Sequence, residues 1–442
     1  MIDQIFRNKL LYIGIHFFLG FIVTFLPISK IYPLLIIIVG LFIIYKSKNI
    51  NEEALYFSAY LVGAEVFIRM SGGTLLYELG KYGIMLFVLL GLFIGPIKQK
   101  NSISILFYIL LILVGILFTE VPPGESIRKA IIFNLSGPIS LGVFAIYCYK
   151  RIITIPQLNE LLFMSLLPIF SIVSYVYFRT PSLEELVFST GSNFATSGGF
   201  GPNQVSTIIA FGAFILAVFL FIRVNLSFYI FLDAFFLAYF TYRVLLTFSR
   251  GGLITGSVAF ILFTFFMFLN NKVTLTKITK YIFISIFLFL GIWLYTSNIT
   301  GGMIDNRYAG KNSIGKKKED VSSGRLDIIN MQLESFLESP FFGIGVGNGK
   351  YKRLESGEHV TAASHNEVGR LIEEHGIMGI FALIILLTLP LENIYFSNNY
   401  QRAFLVAFFV FWFLTINHTA MRIAFPAFAY GLSLIRITKD DE

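Results

Sequence analysis

Arg250, Arg325 and His365 are the side chains whose types and settings suit chemistry on an anionic substrate. Arg325 and His365 stand in a polar stretch, residues 322–379, within a chain otherwise built of apolar runs. Irregular backbone avoids lipid, so such an excursion belongs at a surface, where loops carry function. A guanidinium presents a planar fork of donors that matches phosphate oxygens. Arg250, in the SRGG run at 249–252, is therefore a candidate clamp for an anionic leaving group. Gly251 and Gly252 would let backbone amides approach the same anion. The plainer alternative is an arginine at the mouth of a span, snorkelling to lipid phosphates.

Ser364, His365, Asn366 and Glu367 fit a capping box, with Ser364 as N-cap and Glu367 at the third helical position. His365 then falls in the first turn, where the helix dipole opposes protonation by about 0.3–1 kcal/mol. A neutral imidazole near the surface is what a general base needs. A polar residue beside a cap explains the position equally well. Gly343, Gly345, Gly347 and Gly349 alternate, which suits backbone packed closely against a ligand or another element. The GFGPNQ run at 199–204 predicts a tight turn followed by two amides, Asn203 and Gln204; a loop-to-helix junction is the simpler account. Glu65 and Arg69 stand four apart and form an intrahelical pair on that spacing, although intramembrane charge is a functional hint. Asp233 and Arg243 are read in the same way, and His375 is read as structural.

The elements that must position these groups are membrane helices. The chain is 56% hydrophobic and 14% charged, against about 25% charged in soluble domains. The fold class is an all-α polytopic membrane protein of about 12–14 transmembrane helices with a large outward-facing, partly helical loop. Apolar runs lie near 10–27, 31–46, 54–70, 81–96, 103–119, 128–149 and 158–178. Others lie near 204–223, 226–243, 251–269, 279–297, 376–391, 402–417 and 419–436. The first lacks a small-residue cleavage site and is read as a retained signal anchor. The chain divides into helices and short loops over 1–297, the large extracytoplasmic loop over 298–375, and terminal helices with a short cytoplasmic tail over 376–442.

Within that loop, Leu326, Ile329, Leu333, Phe336 and Leu337 recur at helical spacing until Pro340, which predicts an amphipathic helix headed by Arg325. The net charge of +8 does not imply nucleic acid. Its basic residues sit in short alternate loops at Lys46, Lys98, Lys150, Arg223, Lys272 and Arg402, as the positive-inside rule requires of cytoplasmic loops. The large loop then faces outward. The single cysteine, Cys148, excludes an intrachain disulfide or thiolate metal site. No Asp-x-Asp occurs and no outward cluster has metal-ligand spacing, so no metal or cofactor is expected and arginines must neutralise any phosphate.

The GFGPNQ turn, SRGG, GRLDI at 324–328, the glycines of GIGVGNG at 343–349 and SHNEVGRLIEEHGIMG at 364–379 occur in one order. As an ordered set they resemble the O-antigen ligase/polymerase superfamily, bacterial membrane glycosyltransferases; the first half resembles it only in being hydrophobic. The resemblance implies a fold related to the C-type glycosyltransferases and a metal-independent, inverting transfer from an undecaprenyl-pyrophosphate-linked glycan. It implies that Arg250 and Arg325 hold the pyrophosphate and His365 activates the acceptor hydroxyl. Gly251, Gly252, Asn203, Gln204, Gly345, Gly347 and Asn366 become the candidate substrate-binding residues. The setting implied is the bacterial cytoplasmic membrane and its lipids, with the active site outward and a glycan, lipid or protein as acceptor. A transporter or flippase for lipid-linked sugars is the other class; it predicts cations lining a cavity between repeats.

Overall fold

The computed structural model describes residues 8–26, 28–183, 185–227, 229–270, 275–318, 320, 324–355 and 366–438. The chain opens with α1 (Lys9–Phe25), α2 (Ile31–Ser47), α3 (Glu53–Met70), α4 (Leu79–Ile94), α5 (Ile103–Val114) and α6 (Ile127–Cys148). A short strand β1 (Ile152–Thr154) leads into α7 (Ile155–Arg179), α8 (Pro202–Ile222), α9 (Ile230–Leu246), α10 (Arg250–Leu269) and α11 (Leu275–Ile299). Three short elements follow, α12 (Met303–Tyr308), α13 (Arg325–Glu338) and α14 (Gly349–Glu355). The chain then returns through α15 (Glu367–Phe396), α16 (Asn399–His418), α17 (Phe425–Leu432) and β2 (Arg436–Thr438).

Six described helices, α6, α7, α8, α10, α15 and α16, are long and apolar enough to cross a membrane, and five shorter apolar helices accompany them. The central one is α7, buried on nearly every face and packed by α1 and α3. Close approach depends on small residues: a Cβ on Gly63 would meet the Ser165 carbonyl oxygen at 2.2 Å, and one on Gly20 the Ser171 oxygen at 2.4 Å. Small residues let backbones approach where lipid removes the hydrophobic drive between helices.

The basic short loops gather at one end of the bundle. Glu52 pairs with Arg151 at 2.6 Å and with Lys98 at 3.0 Å, while Lys150 reaches Glu392 at 3.1 Å. There β1 and β2 pair in parallel, Ile152 opposite Arg436. The opposite end holds the 185–201 loop, the 247–249 turn and the 300–318 and 324–355 segments, joined where Arg307 donates to Thr190 and Phe248.

The apolar run at 419–436 is not one span. Residues 419–424 are irregular, Ala420 has φ 54°, and Pro426 is the second residue of the eight-residue α17. Proline has no N–H to leave unpaired and suits a helix start. The freed amide of Ala424 donates to a Glu65 carboxylate oxygen at 2.7 Å. Glu65 does pair with Arg69 at 2.8 Å, and Lys81 pairs with Glu78 at 2.6 Å beside it. The buried charges of α3 thus satisfy a broken helix inside the protein, the setting in which irregular backbone is tolerated at membrane depth. Asp233 is local as well, its carboxylate accepting from the Leu226 and Ser227 amides at 3.1 Å each. Arg243 is buried and donates to the Thr180 hydroxyl at 3.1 Å.

Candidate active site

Arg250 heads α10, Arg325 heads α13, and α12 adds a third guanidinium, Arg307. Arg307 is anchored by two carbonyls, donating from Nε to Phe248 at 3.2 Å and from Nη1 to Thr190 at 2.8 Å. Lys318 reaches the same Thr190 carbonyl at 3.3 Å. Desolvation lowers the pKa of Arg307, and Arg250 and then Arg325 add to the shift. Arg325 is lowered by desolvation and then by Arg250; Lys318 by desolvation, Arg307 and Arg250. Arg307 and Lys318 thus share the Thr190 carbonyl, and Arg307 also holds the turn that leads into Arg250. Such a group of cations is the complement of a multiply charged anion, since charge-assisted bonds to phosphate offset like-charge repulsion.

Asn203, in the first turn of α8, ties this corner together. Its side-chain oxygen accepts from the Ser249 hydroxyl at 2.8 Å and its amide donates to the His418 carbonyl at 3.5 Å. The Thr207 hydroxyl lies 2.7 Å from the Asn203 carbonyl oxygen and 3.0 Å from Nε2 of His418. Gln204 stays beside its own turn, its side-chain oxygen buried without a hydrogen-bond partner among the described residues. The glycines after Arg250 serve helix contacts. A Cβ on Gly251 would meet the His418 ring at 2.4 Å, and one on Gly252 the Ser206 hydroxyl at 2.1 Å. Ser249, at the N-cap of α10, directs its hydroxyl to Asn203 and makes no side-chain cap bond.

The second half of the site differs from the expected capping box. The N-cap of α15 is Asn366, whose side-chain oxygen accepts from the amides of Val368 at 3.0 Å and Gly369 at 3.3 Å. Glu367 is the first helical residue and is held by Arg370 at 3.0 Å, so it does not reach back as a capping-box partner. Ser364 and His365 lie outside the described residues; with the helix starting at Glu367, position 365 precedes the first turn. The dipole argument for a neutral His365 therefore loses its premise, because the first turn begins two residues later. His375 is buried against Gly115, where a Cβ would meet its Nδ1 at 2.4 Å.

The alternating glycines repair a break in α15. Gly376 has φ 59° and ψ −137°, and the Ile377 amide donates to the Pro340 carbonyl at 2.7 Å. Carbonyls freed upstream are taken by the glycine run, Ile344 donating to Glu373 at 3.1 Å and Gly345 to Glu374 at 3.2 Å. Gly345 has φ 88°, and a Cβ there would stand 2.0 Å from the Phe118 carbonyl oxygen. The atoms nearest that Cβ are backbone of Phe118 and Thr119, so Gly345 is packed closely against the 118–119 turn. Gly347 has φ 80° and lines a cavity shared with Glu367 and Arg370.

Sequence reasoning passed over Arg307 and His418. The signal for Arg307 was an additional arginine between Arg250 and Arg325 in the long loop; His418, closing an apolar run, carries no motif. Among the described residues no group of three or more His, Cys, Asp or Glu is placed to hold a metal ion.

Residues 234–384 match the family model described as O-antigen ligase. The matched segment contains all three arginines, the glycine run and Asn366, and supports the resemblance to the O-antigen ligase/polymerase superfamily. It supports that type of function, with glycosyltransferase-like activity, in a multi-pass membrane protein. No curated protein matches the chain.

Proposed function

We propose that this protein transfers an oligo- or polysaccharide from an undecaprenyl-pyrophosphate carrier to an acceptor hydroxyl at the outer face of the bacterial cytoplasmic membrane. The observation that carries the reading is the bond from Arg307 to the Phe248 carbonyl, two residues before Arg250, with Arg325 heading α13, all within the matched segment. The acceptor oxygen attacks the anomeric carbon, the bond to pyrophosphate breaks, and the pyrophosphate keeps the bonding electrons. Attack from the opposite face inverts the centre. Preorganised cations aimed at the developing charge are usually the largest stabilising contribution. No metal takes part, so the guanidiniums neutralise the leaving group.

His365 takes the acceptor proton, a step worth about 10²–10⁴ in rate. Asn203, bonded to Ser249 one residue before Arg250, positions Arg250, and Asn366 caps α15. A ligase presents a lipid or protein hydroxyl to this centre and a polymerase presents a second lipid-linked repeat unit; the bond-making step is common to both. A transporter expects cations along a path between repeats. Buried cations of this bundle are instead engaged locally, Arg151 with Glu52 and Arg370 with Glu367 and Glu374.

The test uses purified protein with a defined lipid-pyrophosphate glycan and acceptor, with and without EDTA. Wild type should transfer equally in both conditions, and Arg250→Ala should remain folded and lose transfer. Activity that disappears on chelation and returns with magnesium, or a fully active Arg250→Ala, would refute the mechanism.

A further inference from the structure

A cavity of about 370 Å³ opens between α6, the 347–353 segment, the first turns of α15 and residues 420–422. It shares two segments with the arginine site. Glu367 of its lining follows Asn366 directly, and Met421 lies three residues beyond His418, whose carbonyl Asn203 holds. Three of its lining cations are bonded to carboxylates, and Arg422, partly buried in the 420–422 wall, has Glu367 as a charged neighbour. On the floor, Arg370 bonds Glu367 and, at 2.6 Å, Glu374. In the walls, Lys81 is neutralised by Glu78 at 2.6 Å, and Arg353 by Glu373 at 3.0 Å. At the rim, Lys129 and Lys350 are exposed and neither makes an ion pair among the described residues. The Lys350 ammonium lies 5.3 Å from the ring centroid of Tyr351, whose hydroxyl donates to Glu125 at 3.4 Å.

Resting on the transfer reading above, we propose that this cavity holds the acceptor glycan and selects one with an acidic sugar. The sugar carboxylate would lie between Lys129 and Lys350, the two exposed rim lysines that make no ion pair among the described residues. Asn134, Ser126 and Glu125 offer hydrogen bonds to sugar hydroxyls, and Tyr351 offers a ring face. The inner charges of Lys81, Arg353 and Arg370 are compensated within the protein. One carboxylate at the rim matches what remains, because charge-assisted bonds are the strong ones and Lys129 and Lys350 are free to make them.

The decisive measurement is calorimetric titration of the full-length protein, in nanodiscs of zwitterionic lipid, with a uronic-acid tetrasaccharide and its carboxyl-reduced counterpart. The acidic form should bind at least about tenfold tighter, and Lys129→Gln combined with Lys350→Gln should remove the preference. Raising salt should weaken the acidic form selectively. Equal affinity for both forms, or a preference that survives the double substitution, would overturn the inference. So would its loss in nanodiscs of anionic phospholipid, which would assign the lysines to lipid headgroups. Arg250→Ala, outside this cavity, should keep the binding preference while losing transfer. Failure of transfer in wild type would therefore count against the catalytic reading alone.

Discussion

Replacing Arg325 by glutamine separates a cation held for a ligand from one held for the fold. Arg325 is exposed, begins α13, makes no ion pair among the described residues and has Arg250 as its charged neighbour. Two contributions oppose its charge in the empty protein. A cation in the first turn of a helix costs about 0.3–1 kcal/mol. Repulsion from Arg250 adds about 0.5 kcal/mol if the charges stand about 8 Å apart in a dielectric of about 80, and salt screens part of it. Glutamine removes both and keeps most of the side-chain stem, so the variant should melt at or slightly above the wild type. Transfer should fall about 10²–10³-fold, the usual cost of one transition-state donor. Inorganic pyrophosphate should raise the wild-type melting temperature more than the variant's, since only a ligand that binds the native state stabilises it. The assays are thermal melts with and without pyrophosphate, run beside turnover with a lipid-linked donor. A variant that melts well below wild type, or retains full transfer, would refute the assignment of Arg325 to the leaving group.

His365→Ala should abolish transfer yet still bind lipid-linked donor, and wild-type turnover should fall as pH drops through the imidazole range near about 6.5, because a protonated ring cannot accept the acceptor's proton. Full activity in the alanine variant would return His365 to a polar residue beside a cap. Asn203→Ala removes the acceptor of the Ser249 hydroxyl and the donor to His418; at about 1–3 kcal/mol for an orphaned buried group, transfer should drop at least about tenfold through loss of Arg250 placement. That loss should appear in turnover rather than in membrane insertion. Cysteines at Ser313 and Ser356 should react with an impermeant thiol reagent in intact cells, outer membrane permeabilised where present, and one at Asn271 should not; labelling at Asn271 would reverse the orientation.

Legibility followed the range of the interaction. Membrane class and the one-ended grouping of Lys98, Lys150 and Arg151 follow from composition and short-loop charge, so they could be read locally. The amphipathic helix headed by Arg325 was equally local, and α13 spans Arg325–Glu338 as its period predicts. The N-cap of α15 was ambiguous because Ser364 and Asn366 both belong to the capping types. What decides it is Arg370, which holds Glu367 away from a capping role. The run at 419–436 misled because hydropathy does not register a carboxylate 359 positions earlier that receives the Ala424 amide. Arg307 was hidden for a similar reason: its meaning comes from carbonyls of Thr190 and Phe248, supplied by distant turns.

The glycines show how a correct local inference can leave its partner open. Alternation at 343–349 required close approach, and three of those residues do adopt positive φ. What they approach is the broken turn of α15 and, through Gly345, the Phe118 carbonyl. That contact has a functional consequence. It fixes the break at Gly376, and the break sets where the short first segment of α15 points. On that segment stand Asn366 and Glu367, immediately after His365, and Arg370 on the floor of the cavity. The arginines stand at the other helix starts, on α10 and α13, with Arg307 bolting the turn before α10 to the 190 loop. Charge for the leaving group and the segment beside the proposed base thus reach the site on separate supports. The proposed transfer needs them in fixed register, and hydrogen-bonded turns at both supports are what the polar residues of this chain provide.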